Sequence, residues 1–355
     1  MIISSFEYKE NGWELKGLAP LNPQSLLVAR NATGKTRTIR ALHNVTSFLQ
    51  MKGVLMATQS FETCMTFKEK NDPDWVMKYC IKIKNGNVEK EKLMVNDVAL
   101  ITRTKTIAMY KKQIINPPAD KLVVQIRRDE NLYPDIEKLI NWAEGVTYVS
   151  CSDINPYTIV HIGTGSFINP YSFSELVDNL TTTELKKVLS QAKELGYDIA
   201  SIRTIEASKD IKLVQVKEKS VVDKMVDMQL SSGMIRTLYL LCFVSVVKHY
   251  KKLSMLLVDD LGEGLDYRRS TDFGRFLFED CLTNGIQLIA SSNDSFLMDV
   301  VDIANWQVLR RKSGKVSVIN QSNSPELFRK FKMTGLSNFD LFSSDFIDSY
   351  LASQR

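Results

Sequence analysis

Short apolar runs that stop at polar or glycine-rich turns punctuate this chain, and their spacing predicts alternating strands and helices. Leu26-Leu27-Val28 reads as a buried parallel strand. The helix predicted after it carries Ile39, Leu42, Val45, Phe48 and Leu49 on one apolar face. Residues 1–21 predict a β-hairpin turning at Glu10-Asn11-Gly12. A second hairpin is predicted across Tyr79–Arg103, where Asn85-Gly86 favours the primed turn that matches strand twist. Val146–Ser150 and Ile159–Gly165 are further strands. Helices are expected over Ser172–Leu180 and Thr182–Gly196, with Ser172 and Thr182 as N-caps and Gly196 as C-cap.

The second half opens on a strand over 210–218. It continues with Met255–Asp260, Ile286–Ser292 and a hairpin over Trp306–Asn320. Thr237–Val247 is too short to span a bilayer and reads as a buried core helix. The tail's Phe328, Phe331, Phe339, Phe342 and Phe346 are expected to pack back onto the body. No internal repeat or sustained heptad run interrupts this pattern.

Composition narrows the class. With 355 residues, 44% hydrophobic and 25% charged, the chain has the make-up of an ordinary globular protein. A net charge of +5 implies nucleic acid only if that charge is concentrated on one face. Cys64, Cys80, Cys151, Cys242 and Cys281 are scattered, which argues against a disulfide framework and a zinc site and fits a cytoplasmic setting. The N-terminus lacks the basic and apolar regions of a signal peptide, and no membrane association is expected.

Candidate chemistry begins at Ala29–Thr36. A phosphate-binding loop leaves a buried strand, wraps backbone N–H groups around phosphates and enters a helix N-terminus. Ala29, Arg30, Asn31, Ala32, Thr33 and Gly34 form that loop here, and alanine stands where the pattern opens with glycine. Lys35 can reach the β- and γ-phosphates, and the Thr36 hydroxyl can ligate magnesium. Downstream, Met255–Asp260 is an apolar strand that ends in two acids. Asp259 suits the metal and Asp260 suits the attacking water. Ser231-Ser232-Gly233 opens an apolar helix and offers free N–H groups to an anion. Gly264–Asp266 and the residues after Ile286–Ala290 complete the set.

In this order the elements resemble the ABC-type ATPase heads of the RecF and structural-maintenance-of-chromosomes kind. More closely, they look like compact AAA/ABC-type ATPases of bacterial phage-defence loci, related to overcoming-lysogenization-defect proteins. The resemblance implies an α/β fold, an ABC-ATPase head with a P-loop NTPase core, a β-rich lobe and a short helical insert. It implies one domain over residues 1–355: a first lobe over 1–170, the insert and return strand over 171–229, a second lobe over 230–320 and a tail. It also implies ATP and Mg2+ as cofactors. Ala29–Thr36 becomes Walker A, Leu230–Met234 the signature, Met255–Asp260 Walker B and Gly264–Asp266, with Asp266, the D-loop. Gln125 is the candidate for the family's metal- and water-contacting glutamine, and Ser292 or Asn293 occupies the switch-histidine position.

The departures set the expected rate. Asp260 stands for the usual glutamate, Ser232-Gly233 for two glycines, and the switch histidine is absent, so hydrolysis is expected to be slow. About sixty residues separate Gly165 from Leu230, too few for a long coiled-coil arm, and about thirty-five follow the last hairpin, too few for a nuclease domain. The leading expectation is a switch that dimerises around ATP and controls a separate effector, in antiviral defence or a toxin–antitoxin module. A DNA-repair or recombination ATPase that binds DNA directly is the runner-up, and a transporter subunit comes third.

Overall fold

Alternating burial along the first strands sets the frame. β1 (Ile2–Glu10) and β2 (Trp13–Leu18) pair antiparallel across the expected turn. β3 (Gln24–Val28) is buried, and in α1 (Lys35–Leu49) all five apolar-face residues named above are buried. The computed structural model describes residues 1–51, 58–159, 161–162, 171–250 and 253–353.

The Tyr79–Arg103 stretch is more than a hairpin. It supplies parts of three strands to a meander of β4 (Phe61–Lys68), β5 (Val76–Lys84), β6 (Asn87–Val95), β7 (Val98–Thr104), β8 (Ile107–Tyr110) and β9 (Gln113–Ile115). Asn85 and Gly86 have φ of 48° and 72°, as a primed turn requires, and Asn96 and Asp97 repeat this at 47° and 62° between β6 and β7. The register places Cys64 opposite Cys80, and they form a disulfide with 4.1 Å between their Cα atoms. The scattered cysteines gave no hint of this pair, because strand register is invisible in spacing.

The chain continues through α2 (Val123–Ile126), α3 (Pro134–Glu144), β10 (Val146–Ser150), α4 (Pro156–Ile159) and β11 (His161–Ile162). Of the strand expected over Ile159–Gly165, Ile159 ends α4, and residues 160 and 163–165 lie outside the described residues. In α5 (Phe173–Asp178) Ser172 is the N-cap. In α6 (Thr182–Glu194) the cap is Thr181, one residue before the expected Thr182. The reason is chemical: Thr181 and Glu184 form a capping box, with the Thr181 amide donating to Glu184 Oε2 over 2.8 Å. Gly196, at φ 85°, follows the C-cap Leu195.

Residues 171–229, expected to form a helical insert and a return strand, are as much sheet as helix. β12 (Ile199–Ser208), β13 (Ile211–Glu218) and β14 (Met225–Val226) join β11 in a separate four-stranded sheet. After it come α7 (Ser232–Tyr250), β15 (Met255–Asp259), α8 (Tyr267–Thr283), β16 (Gln287–Ser292), α9 (Ser295–Val300), β17 (Trp306–Lys312) and β18 (Lys315–Ile319). The tail forms α10 (Pro325–Lys332), α11 (Asn338–Ser343) and α12 (Phe346–Ser353). Phe328 and Phe331 are buried in the core, and Phe339, Phe342 and Phe346 pack against it.

The large sheet has fourteen strands in the order β10-β15-β16-β3-β17-β18-β2-β1-β4-β5-β6-β7-β8-β9. Its first five strands are mutually parallel. Leu26, Val28, Leu256, Val258, Leu288 and Ala290 face one apolar cluster, and Leu27, Met255, Leu257 and Ile289 face the other. Burial on both faces is why these strands read as continuous apolar runs. Among the described residues, no helix is long and apolar enough to cross a membrane.

Candidate functional site

The parallel strands deliver their loops to one rim, the C-terminal edge where open α/β sheets bind ligands. After β3 the chain passes through Ala29, which is 1% exposed and lacks the positive φ that would demand glycine. The left-handed position is instead Ala32, at φ 61°. Gly34 has φ 121°, and a Cβ there would lie 3.4 Å from the Trp13 indole nitrogen. Glycine is therefore needed at 34 and dispensable at 29.

Lys35 is 6% exposed. Its ammonium donates to the Ala29 carbonyl over 2.7 Å and to Asn293 Oδ1 over 2.6 Å. Burial pushes its pKa down, and the charges of Asp260 and Asp259 oppose that shift.

Asp259 closes β15 at 1% exposure. Its Oδ1 accepts from Thr36 Oγ1 over 3.2 Å and from Ser291 Oγ over 2.6 Å. Its Oδ2 is buried without a hydrogen-bond partner. Burial raises the Asp259 pKa and the charge of Asp260 adds to it, while the bonds from Ser291 and Thr36 lower it. An orphaned carboxylate oxygen beside a threonine hydroxyl fits a hard divalent cation. No cluster of three or more His, Cys, Asp or Glu occurs among the described residues, so protein atoms would fill only part of its shell.

Asp260 has φ 56°, a conformation that aspartate tolerates, and its amide donates to Ser291 Oγ over 3.0 Å. With Asn31–Thr36, Asn293, Arg40 and Arg311, Asp260 lines a cleft of about 680 Å³. Asn293 therefore reaches the site. Ser292 is fully buried and turns away, donating to the Leu261 carbonyl over 2.7 Å.

Gln125 is elsewhere, contrary to expectation. Its amide donates to the Phe48 carbonyl over 2.6 Å at the C-terminal end of α1. That lies twelve residues past Thr36, roughly 18 Å along the helix at 1.5 Å per residue. The rim beside Asp259 is occupied instead by the segment after β10, whose Cys151 amide donates to the Asp259 carbonyl over 2.9 Å. Asp153 in that segment pairs with Arg40 over 3.6 Å. Arg40 follows Thr36 by four residues and so shares its helix face, a spacing readable from sequence. Ser291 carried no such signal.

The residues expected to form the signature stand apart. Ser231 and Ser232 are exposed at the start of α7, and Ser231 Oγ accepts from the Met234 amide over 3.3 Å. Arg236 ties this helix to the next loop, donating to the Glu263 carbonyl over 2.8 Å. Asp266 N-caps α8, and Arg269 lies 4.2 Å over the Tyr197 ring. Neither Ser231, Ser232, Gly233 nor Asp266 lines the cleft.

No family model and no curated protein matches this sequence. Solved structures do. A structural-maintenance-of-chromosomes head bound to the C-terminal winged-helix domain of ScpA aligns at TM-score 0.55 and 12% identity, covering 91% of this chain and 99% of that one. The head domain from Thermotoga maritima aligns at 0.50 and 12%, over 90% and 99%. A head with an extended coiled coil, bound to the C-terminal domain of ScpA derived from Pyrococcus furiosus, aligns at 0.50 and 10%, over 93% and 99%. At such identities the likeness is one of fold: a mixed α/β head built on a large sheet.

Proposed function

We propose that this chain is an ABC-type ATPase that binds ATP with magnesium, closes as a homodimer around it and hydrolyses it slowly. In that form it acts as a switch on a separate effector protein, in a setting of the antiviral-defence kind. One observation carries the reading. Lys35, Thr36, Asp259, Asp260 and Asn293, drawn from three loops far apart in sequence, meet at one rim.

Each residue has a role there. The amides of the 29–36 loop and the Lys35 ammonium would hold the phosphates, an arrangement suited to anions at a helix N-terminus. Thr36 and Asp259 would hold the magnesium ion, which when bound neutralises phosphate charge. Asp260 would orient the attacking water. The exposed Ser231-Ser232 turn, which does not line the cleft beside Lys35 in its own chain, would complete the site on a second copy. Two of the structural neighbours are heads bound to ScpA domains, a precedent for a separate protein docking on this fold.

Calorimetry with ATP and magnesium tests the site. Lys35→Ala should abolish binding, and equal affinity in both proteins would remove the reading. Sedimentation tests the sandwich. Ser231→Arg should block ATP-dependent association while the monomer still binds nucleotide. A dimer indifferent to both ATP and this change would count against it.

A further inference from the structure

The large sheet ends in β6 to β9, and none of the residues on the outward face there lines the cleft beside Lys35. Residues directly opposite each other on paired strands share one face. One outward rung runs Cys80, Lys92, Thr102, Met109, Ile114, and the next runs Lys82, Lys90, Thr104, Ile107. The other face of the same strands, with Leu93, Ile101, Ala108 and Ile115, is buried in the core. Ile107, Met109 and Ile114 are 54%, 45% and 72% exposed, so three large aliphatic side chains lie bare on two neighbouring strands.

Beside this strip stands a block of positive charge. The lysines of β5 and β6 (Lys78, Lys82, Lys84, Lys90 and Lys92) all face outward, and Glu89 is the one acid of these two strands beside them, since Glu91 is buried on the other face. Glu89 is already engaged by Lys82 and Lys84. Lys82 lies directly opposite Lys90, a like-charge pairing that costs stability. Among the described residues, neither Lys90 nor Lys92 has an ion pair. Neither the repulsion nor the bare strip serves the fold.

We propose that this face docks an amphipathic helix of a protein partner, one whose apolar stripe is flanked by glutamate or aspartate. The stripe covers Ile107, Met109 and Ile114, and the acidic flank meets Lys90 and Lys92. Those lysines lie two strands from β8, about 10 Å, and a helix with its side chains is about 10–12 Å across, so one helix laid along β8 reaches both. A segment resting on a sheet face gains no backbone hydrogen bonds from it, and a helix satisfies its own. The free edge is poorly suited to an added strand. β9 is only three residues long, with Lys111 and Lys112 before it and Pro117 and Pro118 after it.

Charge and apolar area together choose the occupant. A second copy would set lysine against lysine. Nucleic acid would engage the lysines through its phosphates and leave the aliphatic strip in water. A lipid surface favours tryptophan and tyrosine at its interface, and the strip holds neither. An acidic amphipathic helix uses both parts of the face. The proposal does not rest on the ATPase reading.

The test is fluorescence anisotropy of a labelled helical peptide of leucine, alanine and glutamate, with leucines on one face and glutamates on the flanks, titrated with the full chain. It should bind saturably with a Kd below about 100 μM and weaken as salt is raised. The same peptide with lysine on its flanks should bind at least about tenfold more weakly. Lys90→Glu with Lys92→Glu should weaken the acidic peptide about tenfold, and Met109→Ser with Ile114→Ser about fivefold. Lys90→Glu alone turns a like pair with Lys82 into an opposite one, so it should melt no lower than wild type while binding less. No saturable binding, equal binding of the two peptides, or wild-type binding by either double variant would overturn the inference. So would tighter binding of a short DNA duplex or of phosphatidylserine vesicles that the double lysine variant abolishes. Lys35→Ala should leave peptide binding unchanged, so this surface and the nucleotide site stand or fall separately.

Discussion

Ser291 holds Asp259: its hydroxyl donates to Asp259 Oδ1 over 2.6 Å, and Ser291 Oγ in turn accepts from the Asp260 amide over 3.0 Å. One buried side chain on β16 thus orients both acids at the end of β15. Ser291→Ala removes a bond to a carboxylate, of the kind worth about 1.5–3 kcal/mol. The expected result is a higher magnesium requirement for ATP binding and hydrolysis, partly restored in Ser291→Thr. A magnesium titration that superimposes on wild type would show that the serine merely fills space.

Asp259 should cost stability until it is used. Its folded-state pKa is raised, chiefly by burial, so the folded protein keeps this proton to higher pH than the unfolded chain does. Its favourable contribution is therefore full below the ordinary aspartate value of about 3.9 and lost as pH rises through the raised value. At neutral pH the ionised group is a net liability without a cation. Asp259→Asn should melt about 2–4 °C higher than wild type at pH 7.5 in chelator, with the gap narrowing toward acid pH. Magnesium with ATP should raise the wild-type midpoint and leave the variant unmoved. A variant less stable than wild type at pH 7.5 would contradict this account.

Asp260→Asn separates binding from turnover. Asparagine tolerates the 56° φ at this position, so the fold and ATP affinity should persist. Wild-type phosphate release should already lie well below the roughly 10 s⁻¹ typical of enzymes. One reason is that the carboxylate is a methylene shorter than glutamate; the other is that Asn293 supplies no cationic donor. The variant should be slower by a further tenfold or more, as loss of a general base usually costs about 10²–10⁴. Rapid turnover by the isolated wild type, or no loss in the variant, would mean that another group positions the water.

A buried ion pair sits inside the β4–β9 meander. Glu91 and Arg103 are both fully buried, 4.0 Å apart. Glu91 also accepts from the Val123 and Val124 amides and the Tyr79 hydroxyl, and Arg103 donates to the Lys105 and Pro118 carbonyls. Arg103→Ala leaves the carboxylate uncompensated and should cost about 3–5 kcal/mol in urea unfolding. A loss under about 1 kcal/mol would show that water replaces the arginine.

What the sequence determined by itself is local. Residues 29–36 are contiguous, so their order alone specifies strand, loop, glycine and helix start, and the 680 Å³ cleft lies along them. The apolar runs before Asp259 and Ser291 likewise announce strands buried on both faces, because the parallel core leaves no polar side to alternate with. What only the tertiary structure decided is which distant residues meet. Asn293 rather than Ser292 reaches Lys35 because successive residues leaving a strand point to opposite sides. Gln125 sits at the wrong end of α1, and Cys64 faces Cys80, because pairing and register are set between elements. Spacing along one chain contains no measure of either.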